Sequence, residues 1–111
     1  MTEAQLQRTV FEHLKAYAAP NAVYWHTPNG GRRDAIDGAN FKRLGVRPGV
    51  SDILVFHKRE LFALELKRDG GRATESQLRF LDDIRREGGY GVIAEGLDEA
   101  LASLRAWGVL R

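Results

Sequence analysis

The sequence predicts an α/β domain, a mixed sheet of about four strands flanked by helices. Three observations carry that expectation. Helical and strand periodicities alternate along the chain. Two short runs rich in branched and aromatic residues, Ile53 to Phe56 and Leu61 to Leu66, flank the polar tetrad His57-Lys58-Arg59-Glu60 and read as an antiparallel hairpin. Within the second run Phe62, Leu64 and Leu66 occupy one face while Leu61 and Ala63 begin the other, so both faces need covering.

Thr2 with Gln5 forms a capping box, and Leu6, Val10, Leu14 and Tyr17 recur at helical spacing until Pro20, which predicts a helix over residues 3 to 18. Val23 to His26 is a short strand. Thr27 to Val50 holds five Gly, two Pro and five Lys or Arg; so long a connection in a compact domain is usually functional or mobile. Ala39 to Leu44 is expected as a short helix inside it. After the hairpin, Asp69-Gly70-Gly71 is a turn, and Thr74 with Gln77 is a second capping box for a helix bearing Leu78, Leu81 and Ile84 on one face and ended by Gly88-Gly89. Gly91 to Ala94 is a further apolar strand. Leu97 to Trp107 is a final helix with Leu97, Leu101 and Leu104 in register. The principal order is αβββαβα in one domain spanning residues 1–111, with no internal repeat. Trp107, Val109 and Leu110 are too apolar for a free tail, and are expected to cap the core or to form a dimer contact.

Hydrophobic residues are 43% and charged residues 29%, ordinary for a folded soluble domain. No apolar run approaches the ~20 residues needed to span a membrane, and no basic-then-apolar leader opens the chain, so a cytoplasmic protein is expected. The absence of cysteine excludes disulfides and thiolate zinc sites. His13 and His57 read as a helix-surface and a turn residue, and no His spacing suggests zinc. Net charge is +2, but residues 32 to 72 hold ten Lys or Arg against six Asp or Glu, whereas residues 73 to 111 hold five against seven. Thirteen of the seventeen cations are Arg, whose planar fork suits bidentate phosphate contacts. Many of these charges simply solvate the surface; their excess around one acidic pair is what an enzyme acting on a polyanion would require.

That pair is Asp52 and Glu65. If the turn is centred on Lys58-Arg59, Phe56 faces Leu61 and Asp52 falls opposite Glu65 on one sheet face. Like charges about 5 Å apart are destabilising unless something positive lies between them. Lys67, two residues on, points to the same face. Two carboxylates and an ammonium at the open end of a hairpin make the composition of a divalent-metal site with a positioned cation. A three-residue turn would instead send Asp52 and Glu65 to opposite faces. The plainer alternative makes Asp52 a strand-start turn residue, and Glu65 with Lys67 an exposed same-face pair of little energetic consequence.

Gly49-Val-Ser-Asp52, Glu65-Leu-Lys67, the Thr74/Gln77 cap and the upstream Asn29-Gly30 together resemble a VRR-NUC domain of the PD-(D/E)xK nuclease superfamily. The leading helix, Asn-Gly loop, hairpin and Thr-x-x-Gln helix occur in the family's order across nearly the whole chain. The resemblance implies a restriction-endonuclease-like core and a Mg2+- or Mn2+-dependent phosphodiesterase that cuts DNA. It assigns Asp52, Glu65 and the main-chain carbonyl of Leu66 as metal ligands, with Lys67 orienting water or stabilising developing charge. Similarity to Holliday junction resolvases implies a homodimer and duplex or branched DNA as partner, with no nucleotide cofactor. The sequence departs from the family in carrying Ser51 where a proline is usual before the acid.

Around this core, Glu3 begins the buried stripe of the first helix and is expected to reach the metal directly or through water, or only to complement the helix dipole. Gln77 shares a face with Leu81 and Ile84, which points it toward Lys67, besides serving the Thr74 cap. Asn29, Gly30 and Gly31 form a loop whose backbone could approach phosphate, and His26 beside it could touch substrate. Arg32, Arg33, Lys42, Arg43 and Arg47 are the phosphate-contact candidates. The competing readings are a non-catalytic nucleic-acid-binding module on the same fold, and a basic scaffold with a structural ion pair.

Overall fold

The structure, a computed structural model, describes residues 1–28 and 35–111, with the helical backbone alone over 35–37. Among the described residues the order is α1 (Glu3–Tyr17), β1 (Val23–His26), α2 (Ala35–Arg43), β2 (Ile53–His57), β3 (Glu60–Lys67), α3 (Glu75–Arg86), β4 (Tyr90–Glu95) and α4 (Leu97–Ala106). The mixed α/β architecture is the expected one. The short helix of the long connection starts four residues earlier than its apolar pattern indicates.

Both capping boxes form. In α1 the Thr2 hydroxyl accepts from the Gln5 amide at 3.1 Å while the Gln5 side chain accepts from the Thr2 amide at 2.8 Å, and Thr74 and Gln77 repeat the arrangement at α3. The sheet order is β1-β2-β3-β4. β1 and β2 pair antiparallel, as do β2 and β3, whereas β4 returns parallel to β3 after α3, as a βαβ crossover allows.

Phe56 pairs with Leu61 and Ile53 with Leu64, so the hairpin has the even-length turn. Lys58 and Arg59 have φ of 51° and 67°, the doubly left-handed combination of a type I′ turn, whose twist matches that of the strands. Neither residue is a usual occupant of that conformation. The register is enforced elsewhere, because a slip by one residue would exchange the two sheet faces.

Ile53, Val55, Phe62, Leu64 and Leu66 pack on one face against Leu6, Val10 and Leu14 of α1 and Ala100, Leu101 and Leu104 of α4. Val109 and Leu110 complete this cluster, and the Arg111 amide donates to the Tyr17 carbonyl at 2.9 Å; the apolar end of the chain caps the core. On the other face Leu54 and Ala63 meet Phe80 and Leu81 of α3, with Val50, Ile84 and Ile93 at the margin. The inner stripe of α3 is therefore Gln77, Phe80, Leu81 and Ile84. Leu78, expected on it, is 45% exposed: spacings of three, four and seven from Gln77 define the stripe, and Leu78 falls beside it. Among the described residues no helix is long and apolar enough to cross a membrane.

Candidate active site

Asp52 precedes the first laddered residue of β2, and continuing the register by one step puts it opposite Glu65. Its Oδ2 accepts the Leu66 amide at 2.8 Å. Its main-chain carbonyl accepts from the Thr27 amide at 3.0 Å and from His26 Nδ1 at 2.7 Å. A carbonyl has no proton to give, so Nδ1 is the donor and His26 braces the backbone of the acid. Neither the Leu66 amide nor the His26 brace was legible beforehand; the pairing of β1 with β2 was the signal that could have placed His26 there.

Glu65 is 1% exposed and Lys67 6%. They are not the exposed, solvated pair of the plainer alternative. Lys67 Nζ stands 3.8 Å from Glu65 Oε2, an ion pair rather than a hydrogen bond. Gln77 Nε2 donates to the same Oε2 at 3.2 Å. Gln77 thus serves both the helix cap and the site, and its site partner is Glu65 rather than Lys67. Glu65 Oε1 is buried without a hydrogen-bond partner among the described residues. Burial, then the Asp52 carboxyl facing it, push the Glu65 carboxyl up to about 9; Lys67 pulls it down and Glu3 adds to the rise.

Glu3 lies at the rim. Its Oε2 faces the Arg68 amide at 3.5 Å, and its charge is felt by Glu65. Among the described residues no three His, Cys, Asp or Glu side chains converge as a metal-holding group; the inner carboxylates are two, Asp52 and Glu65. Ser51, where the resemblance would place a proline, is fully buried, its hydroxyl without a hydrogen-bond partner among the described residues.

A cleft of about 530 Å³ is lined among others by Thr27, Lys42, Arg47, Gly49, Ser76 and Gln77; it reaches the acids through Gln77 and Thr27, which bond Glu65 and the Asp52 carbonyl, rather than through the acids themselves. Arg47 donates to Asp83 at 2.5 Å and lies 5.1 Å from the centre of the Phe80 ring. Its guanidinium, with that of Arg86, holds the Asp83 carboxyl below the usual range. Arg47 is engaged in tying its loop to α3, and Arg43 donates to Asn40 at 3.2 Å. Gly49 has φ of 81°, and a Cβ there would overlap the Ser76 carbonyl and the Gln77 amide. The loop leading to Asp52 therefore rests directly on the first turn of α3. Asn29, Gly30, Gly31, Arg32 and Arg33 lie outside the described residues.

An α/β domain whose hairpin sets two acids and a lysine on one sheet face is the class that fold and site define, and the fold is of VRR-NUC type. A solved VRR_NUC domain protein has a TM-score of 0.82 to this chain, covering 96% of it and 88% of that protein, with 25% identity. No family model and no curated protein matches the sequence.

Proposed function

We propose that the chain is a Mg2+- or Mn2+-dependent endodeoxyribonuclease of the PD-(D/E)xK type, hydrolysing phosphodiester bonds in branched or structured DNA, as a homodimer, in replication, repair or recombination. The observation that carries this reading is the buried Glu65 beside Asp52 and Lys67, one carboxylate oxygen unpartnered and the acid pushed toward its neutral form. Such a group is costly unless a cation offsets it. Hard oxygen donors, one or two of them carboxylates, suit magnesium. The residues to hold it are Asp52, Glu65 and the Leu66 carbonyl, with Glu3 in reach through water.

A divalent ion so held would supply Lewis acidity toward the scissile phosphate and toward water. Lys67, buried and restrained by Glu65, presents N–H donors to charge developing on phosphoryl oxygens or to the attacking water. Gln77 fixes the Glu65 carboxylate through Oε2, and Oε1 would be the oxygen available to a metal. The Leu66 amide and the His26 brace fix Asp52 at side chain and backbone. Lys42, Arg43 and the candidates Asn29, Gly30, Arg32 and Arg33 supply phosphate contacts. Arg47 serves the loop that carries Asp52.

The test is incubation with labelled duplex, flap and four-way-junction DNA in magnesium, manganese or chelator. Metal-dependent cleavage is expected, reduced by about 10²–10⁴-fold or more in Asp52→Asn and Lys67→Ala. No cleavage with either metal would leave a non-catalytic nucleic-acid-binding module, and variants as active as the parent would overturn the catalytic assignment of Asp52 and Lys67. Light scattering at micromolar concentration tests the dimer.

A further inference from the structure

The half of the sheet that α3 leaves open carries a strip of exposed apolar side chains leading away from the acids. Trp25 pairs with Leu54 and Val23 with Phe56. Directly opposed residues share a face, and residues two apart on a strand do so as well. Asp52, Leu54 with Trp25, and Phe56 with Val23 therefore follow one another on the face that also carries Glu65 and Lys67. α3 covers the β3–β4 half through Phe80, Leu81 and Ile84. On the outer half Trp25 is 41%, Phe56 49% and Val23 56% exposed. Beyond Phe56 the exposed Lys58 and Arg59 close the strip. From Asp52 to the turn the strip runs about 20 Å, at ~3.3 Å per residue.

We infer that this strip is a single-strand platform: unpaired bases stack on Trp25 and Phe56 while Lys58 and Arg59 meet the backbone phosphates. Aromatic faces interleaved with cations are what sequence-tolerant binding of single strands requires, because every base has a π-face and every nucleotide a charge. Three side chains about half exposed make an apolar patch of a few hundred Å² at most. That is well short of the roughly 800 Å² per partner that a stable protein interface buries. It suits a few bases, and the cations at its end suit a polyanion. The assignment rests on the nuclease reading for its bearing on substrate: a strip running into Asp52 selects DNA with an unpaired arm, such as a flap or fork, over plain duplex.

The test uses the full chain in chelator, where nothing is cut. With Trp107→Phe, a mild change in a ring packed against Phe62 at 5.1 Å, Trp25 becomes the sole tryptophan. Its emission is expected to be quenched by a short oligothymidylate. In anisotropy titrations Trp25→Ala is expected to weaken single-strand binding about tenfold, Trp25→Phe to restore most of it, and duplex binding to change by less than about twofold. Phe56→Ala, at an exposed position, gives the same pattern independently of any fold effect at Trp25. Emission indifferent to the oligonucleotide overturns the inference, as does equal weakening toward single strand and duplex. Emission that instead shifts with protein concentration in the absence of DNA would also overturn it and assign the strip to a second copy. Binding in chelator is independent of cleavage, so loss of the nuclease reading in the metal assay and loss of the platform here are separate results.

Discussion

The two faces of the sheet are built to different ends. Toward α1 and α4, fourteen buried apolar residues form the main cluster of the described residues; toward α3, four do. The second face gives the remaining space to Glu65, Lys67 and Gln77, and leaves Val23, Trp25 and Phe56 in contact with solvent. One layer supplies the stability that lets the other hold a charged, incompletely satisfied cluster. Strain of that kind concentrates where a ligand is expected.

The contrast can be broken most forcefully from the apolar side. Leu64→Ala, at a fully buried position, is expected to cost about 2–5 kcal/mol, whereas Phe56→Ala should stay within about 0.5 kcal/mol. Urea unfolding of the two variants measures the difference, and equal losses would contradict the division of labour.

Next in size is the burden of the acid. Because the folded-state value of Glu65 is raised, to about 9 from 4.5, the folded chain binds a proton that the unfolded chain has released between those limits. Stability from this group is fully present below about 4.5 and is lost as pH rises through about 9. In chelator, Glu65→Gln should therefore be more stable than the parent at pH 8 by about 1–3 kcal/mol and show a flatter profile from pH 6 to 9. Thermal melts across that range check both, and a parent that gains stability on going to pH 9 would refute the assignment.

Thr74→Ala removes the hydroxyl that accepts from the Gln77 amide, a helix cap of about 1 kcal/mol, and so loosens the first turn in which the main-chain amide of residue 74 holds Gln77 Oε1. Divalent-ion affinity, read by calorimetry, should fall along with stability; a change in stability alone would separate the cap from the site. Smallest is the turn. Replacing Lys58-Arg59 by Asn-Gly should add about 0.5–1 kcal/mol by suiting the positive φ values, at the expense of single-strand binding if those cations serve it.

Local signals carried much of the sequence reading. Both capping boxes, the hairpin and the placement of Asp52 opposite Glu65 depend on spacings within a few residues, and they stand in the structure as the spacing predicts. The turn was legible by its length, since its chemistry points elsewhere. Contacts between distant segments were harder to read. Arg47 looks like a free phosphate ligand until Asp83, 36 residues later, is folded against it. The helical spacing of Gln77 with Leu81 and Ile84 turns it inward, but that its partner is Glu65 and not Lys67 depends on the depth at which α3 packs. Apolar spacing brings Leu78 onto the α3 stripe and passes over Phe80, because spacing alone does not fix which edge of a helix meets the sheet.

Gly49 has a consequence reaching past its own turn. The loop on which it sits delivers Asp52, and the helix turn it touches delivers Gln77 to Glu65. Bulk at this position would pry the two supports apart, so a residue bearing no functional group governs both carboxylates together. An alanine here would leave every acid and the lysine in the sequence and still uncouple them, a lesion invisible to any inventory of chemical groups.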